Sequence, residues 1–157
     1  MLPSASLAEI KRELQTLDHA QLLEACLRLA KYKKDNKELL NYLLFELHDE
    51  NKYIEKTKAL MSELFTEINT SNIYFAKKSI RKILKIANKY GKYSANPQTS
   101  LELLIHFCTE VKSLKINYRS STALSNLYDA QLKKIHKIIS SLHEDLQYDY
   151  SKLIAKL

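Results

Sequence analysis

The chain has 157 residues, enough for one domain of ordinary size that buries its core without disulfides or a structural metal. One glycine, Gly91, and two prolines, Pro3 and Pro97, withhold the usual material of tight hairpins, while 25 Lys and Arg against 18 Asp and Glu leave a net charge of +7. That supply excludes glycine-rich phosphate loops, dinucleotide turns and a GxSxG elbow, and predicts an all-α fold of about seven helices in a single domain spanning 1–157.

The longest apolar stretches, LLNYLLF (39–45) and LLIHFC (103–108), fall well short of the roughly 18 residues a membrane span needs. MLPSASLAEIKREL has neither the charged nor the hydrophobic region of a secretion signal, so a cytoplasmic location is expected. Cys26 and Cys108 stand alone among apolar neighbours, outside any metal or redox spacing, and both are expected as buried free thiols.

Helix starts are legible as a polar residue followed three positions later by Glu or Gln, the pattern of a reciprocal capping box. Four such pairs, Ser6 with Glu9, Asp18 with Gln21, Asp35 with Glu38 and Thr99 with Glu102, help place helices over 6–17, 19–34, 36–48, 50–69, 72–93, 99–115 and 121–155. The last should break near Ser140 and Ser141. In the fourth, Ile54, Thr57, Leu60, Met61, Leu64, Phe65 and Ile68 form one apolar stripe. Its coiled-coil-like spacing is too short for an autonomous coiled coil and leaves homo-oligomerisation open. Between the fifth and sixth helices a loop over 94–98 is expected, because Pro97 disfavours helix at Asn96 and lacks an amide donor. Short connections fold successive helices back on one another, as a compact bundle or a short stack of helical hairpins.

The segment LAEIKRELQTLDHAQLLEACLRLAKYKKDNKELLNYLL (7–44) joins a first helix ending in Leu, a polar turn, a Leu-rich helix and a K-E-L-L-x-Y-L helix. In these features it resembles an uncharacterised family of bacterial all-helical proteins, a domain of unknown function, with a weaker similarity over 101–155. The resemblance implies a helical fold and carries no functional residue across.

FAKKSIRKILKIANKYGKY (75–93) is the most unusual stretch. Residues 69–101 hold seven basic side chains and no acid, whereas 1–68 hold ten basic and twelve acidic, and 102–157 eight and six. At 100° per residue Lys77, Lys78, Arg81, Lys82, Lys85, Lys89 and Lys92 share an arc of about 140°. Phe75, Ile80, Ile83, Leu84, Ile86, Ala87, Tyr90 and Tyr93 take the complementary arc and are expected in the core. Like charges three and four apart repel unless something negative lies nearby, so the arc reads as an anion-binding surface. The plainer alternative is a solvated face, or one neutralised by Glu144, Asp145 and Asp149. Nucleic acid heads the expected partners, with Tyr74, Arg119 or Lys133, Lys134 and Lys137 extending the patch; an acidic protein follows, and a membrane surface ranks below because the apolar face is needed by the fold.

Ten tyrosines are spread along the chain from Tyr32 to Tyr150, which predicts rings at helix contacts with hydroxyls reaching solvent rather than a platform for stacking bases. Glu102, His106 and Glu110 recur every four residues; without any Glu-x-x-His pair, a solvated helix margin is expected there and not a metal site. His136 and His143 share a face but sit about 10 Å apart along a helix, too far for one tetrahedral ion, and His48 is expected at a helix end. No cofactor, metal or catalytic residue is expected, and the chain reads as a binding or scaffolding module.

Overall fold

The computed structural model describes residues 4–157, and every described element is helical. Among the described residues eight α-helices take the place of the expected seven or so. They group into two compact units, one up to Phe45 and one from Glu46 to Leu157.

The first unit contains α1 (Leu7–Thr16), α2 (His19–Tyr32) and α3 (Lys34–Asn41). Ser6 with Glu9 and Asp18 with Gln21 form both halves of their capping boxes, as their spacing predicted. Asp35 is not the cap residue: α3 starts two positions earlier than expected, at Lys34, after an extended Lys33 that makes no side-chain cap bond. The helix is also shorter than 36–48, because the backbone widens into a π turn over Tyr42–Glu46. Helix α2 packs along α3. Cys26 is exposed, against expectation, since Tyr42 is the one buried apolar side chain in this stretch and Leu7, Ile10, Leu14, Leu23 and Leu27 are also exposed.

The second unit holds α4 (Glu50–Thr66), α5 (Ile73–Ser94), α6 (Pro97–Ser113), α7 (Thr122–Ile139) and α8 (Glu144–Ile154). The break at Ser140 and Ser141 makes two helices of the expected 121–155 span. Thr99, Leu101, Leu103, Leu104, Ile105, Phe107, Cys108 and Val111 are all buried, so α6 is enclosed on nearly every side. Helices α4, α5 and α7 supply the enclosure, and α8 leans on α7. The α4 stripe is spent in this core: Ile54, Thr57, Met61, Phe65 and Ile68 are buried, Leu64 is half-buried, and only Leu60 faces out. Phe65 meets Phe107 with ring centroids 5.8 Å apart.

The expected loop over 94–98 shrinks to Ala95 and Asn96. Pro97 opens α6 at its first position, where an amide hydrogen would have no partner, and Asn96 rather than Thr99 is the cap, accepting from the Gln98 amide at 2.9 Å. Thr99 lies buried instead, its hydroxyl and that of Ser94 donating to the Glu50 carboxylate, so one acid at the start of α4 holds the end of α5 and the start of α6.

Ala95 ends α5 in the left-handed region at φ 55°, where glycine is ordinarily preferred. The only glycine lies elsewhere: a Cβ on Gly91 would come within 2.8 Å of Ser100 Oγ and 3.3 Å of Ser100 Cα, so it permits the close approach of α5 and α6. Two substitutions should therefore act oppositely in urea unfolding. Ala95→Gly should stabilise the fold by roughly 0.5–1 kcal/mol by removing left-handed strain, less the added freedom of the unfolded chain. Gly91→Leu should destabilise by about 1–3 kcal/mol through overpacking.

Candidate anion-binding face

Asn72 starts the basic helix, accepting from the Tyr74 amide at 2.9 Å and from the Phe75 amide. Ala76, Ile80, Ile83, Ala87 and Gly91 then recur every three or four residues as the buried ridge that faces the core. Opposite them, Lys78, Arg81, Lys82, Lys85 and Lys92 are exposed, with Lys77 and Lys89 half-buried. The seven basic residues thus occupy the solvent side of one 22-residue helix. Tyr74, Lys77, Lys78, Arg81, Lys82 and Lys85 line an open furrow of about 390 Å³ between their side chains.

Among the described residues carboxylates leave six of its seven cations unpaired: no ion pair engages Lys77, Lys78, Arg81, Lys82, Lys85 or Lys92. Glu144, Asp145 and Asp149 are exposed on α8, a helix packed on α7, and Asp145 lies 3.4 Å from His143 of its own first turn. Of the residues expected to extend the patch, Lys134 joins it: its ammonium donates to Asn88 Oδ1 of α5 at 2.6 Å. Arg119 is committed elsewhere, 2.7 Å from Asp129 and over the rings of Tyr118 and Tyr128.

The N-terminal end of α5 departs from expectation. Phe75 was assigned to the core arc, yet it is 54% exposed, beside Tyr74 at 64%, and the two rings meet edge to face with centroids 5.6 Å apart. Lys77 Nζ stands 5.6 Å from the Tyr74 ring centroid. An exposed aromatic pair therefore adjoins the cations. The sequence signal lay in the spacing of Tyr74, which is three, four, seven, eight and eleven residues from Lys77, Lys78, Arg81, Lys82 and Lys85 and so shares their face.

Several other tyrosines direct their hydroxyls inward, contrary to expectation: Tyr53 donates to the Tyr90 carbonyl at 3.1 Å, and Tyr128 to that of Leu157 at 3.1 Å. Burial pushes the Tyr128 hydroxyl up to about 12. The Cys108 thiol is likewise pushed up to about 12 by burial, which keeps it protonated and inert.

Glu102, His106 and Glu110 form a polar seam rather than a solvated margin. Glu102 accepts from Lys58 Nζ at 2.9 Å and from the Tyr150 hydroxyl at 2.6 Å, and Tyr150 in turn accepts from Gln98 at 3.0 Å. Ser62 Oγ lies 2.9 Å from His106 Nε2 and donates to Glu110 at 2.6 Å. Serine and carboxylate share the same imidazole nitrogen, so the ring does not stand between them as a proton relay requires. Among the described residues no group of His, Cys, Asp and Glu is arranged to hold a metal ion. His143, expected on one face with His136, instead caps α8 beyond the break, and His48 lies in the turn before α4.

Compared with protein-family models, with curated proteins and with solved structures, the chain matches none. Among the described residues no helix is long and apolar enough to cross a membrane.

Burial lowers the His106 pKa from its ordinary 6.5, and the Lys58 charge adds to this, while the carboxylates of Glu110 and Glu55 and a backbone bond to Lys58 oppose it. The unfolded chain therefore takes up this proton first as pH falls. The contribution to stability is complete above the ordinary value and is lost as pH drops through 6.5 toward the depressed folded value. Urea midpoints measured at pH 7.5 and at pH 5.5 should consequently differ less in His106→Gln than in the natural chain.

Proposed function

We propose that the protein is a non-enzymatic helical binding or scaffolding module that uses the cationic face of α5 for an anionic partner, with nucleic acid as the favoured one. What carries this reading is a 22-residue helix whose solvent side bears seven basic residues and no acid, six of them outside any ion pair among the described residues. Repulsion between like charges at i, i+3 and i+4 costs a few tenths of a kcal/mol per pair, a cost that phosphates along the face would offset. Lys134 widens the same surface from α7. An acidic protein would be met by the same charges through steering; a membrane surface would also need the apolar side of α5, which is spent on the core.

If four or five of these side chains contact phosphates, log affinity should fall with log salt at a slope near −4 for duplex DNA, or about −3 for single strands. Reversing Lys78, Arg81, Lys82 and Lys85 to Glu should abolish that binding and leave the melting temperature close to that of the natural chain, because all four side chains are exposed. Titrations against DNA, RNA and anionic liposomes in parallel test the choice of partner. Binding to liposomes alone would move the assignment to a membrane surface.

A second reading takes the chain as a protein–protein interaction or oligomeric module whose basic face is merely solvated. Its support is the first unit, where Leu7, Ile10, Leu14, Leu23, Leu27, Leu29, Leu39 and Leu43 are all exposed. On this reading light scattering should give a mass above the 18.3 kDa of one chain, and Leu23→Lys with Leu27→Lys should return it to that value.

A further inference from the structure

The cationic arc alone does not distinguish one polyanion from another, but the rings at its end do. We infer that the α5 face is built for single-stranded nucleic acid, with Tyr74 and Phe75 as a stacking platform for one or two unpaired bases and Lys77, Lys78, Arg81, Lys82 and Lys85 tracking the strand that follows. This rests on the binding reading above and narrows its ligand.

Two observations lead there. The first is exposure: Tyr74 and Phe75 are among the few large apolar side chains of the second unit that face out, in a unit that buries Tyr53, Phe65, Tyr93, Phe107, Tyr128 and Tyr150. Leaving two rings in water costs apolar burial that the same core gains elsewhere, and a base face would recover it. The second is register. Tyr74 lies in the same furrow as the five cations, so a strand whose base meets the ring has its phosphates over the ammonium groups without leaving the helix. Lys77, 5.6 Å from the ring centroid, is placed for the phosphate next to the stacked base.

Unpaired bases are what such a ring can take, since in a duplex the base faces are already covered by their neighbours. Lysine ammonium groups, which predominate in the furrow, hold phosphates as point charges and read no base edge, so little sequence preference is expected.

The test compares three probes that share charge but differ in bases: an unstructured oligo(dT), a duplex of equal length, and linear polyphosphate. Tyr74→Ala with Phe75→Ala should weaken oligo(dT) binding about tenfold or more and leave duplex and polyphosphate binding unchanged, while Tyr74→Phe, which keeps the ring, should retain the natural affinity. Because the chain has no tryptophan, Tyr74→Trp supplies a single reporter whose fluorescence should be quenched by oligo(dT) and not by polyphosphate. Equal loss on all three probes, or no quenching, would overturn the stacking role while the cationic face stood. If none of the three probes bound in a salt-sensitive way, the underlying binding reading would fail as well.

Discussion

Helix α6 needs cover on almost every side, and the arrangement of the larger unit follows from that requirement. A segment reading LELLIHFCTEV has too many apolar positions for a single stripe, so a lone partner helix would leave several of them wet. Helices α4, α5 and α7 answer the need together. Each gives α6 one face and keeps another for solvent. The polar seam from Lys58 through Glu102 to Tyr150, and from Ser62 to His106 and Glu110, lets charged and hydrogen-bonding groups lie at the edge of that core with their partners in reach.

The same demand explains how α5 can be so one-sided. Its inner ridge of Ala76, Ile80, Ile83, Ala87 and Gly91 mixes small side chains with isoleucines, which lets the helix sit close against α6 and draws its stability from packing rather than from surface ion pairs. With the helix held from within, its outer surface is free of the usual need to interleave Glu with Lys. A concentrated positive field is thus compatible with the fold, and the +7 of this helix equals the net charge of the chain.

Much of this was legible in the sequence because it depends on residues close together in the chain. Ser6 with Glu9, Asp18 with Gln21, the cationic arc and the break near Ser140 are all matters of spacing within a turn or two. What escaped depended on distant partners or on competing local signals. Thr99 had cap spacing, but Asn96 and Pro97 formed a stronger start just upstream, and Glu50 captured the threonine hydroxyl from another helix. Asp35 falls inside α3 because the helix already begins at Lys34, after an extended Lys33. Phe75 satisfied the apolar period of α5, yet it lies in the first turn of the helix and stays exposed there. Glu102, His106 and Glu110 looked like a margin because the sequence does not reveal that Lys58, Ser62 and Tyr150 lie against them.

The two-residue link at Ala95 and Asn96 also bears on the order in which the chain acquires its shape. Closing so short a loop costs little chain entropy, and α5 and α6 are both long and share a close contact at Gly91 and Ser100. On the rule that contacts near in sequence form first, their hairpin is expected to precede the recruitment of α4 and α7. On that expectation the charged helix would be ordered early, with its lysines aligned while the remaining helices are still being added.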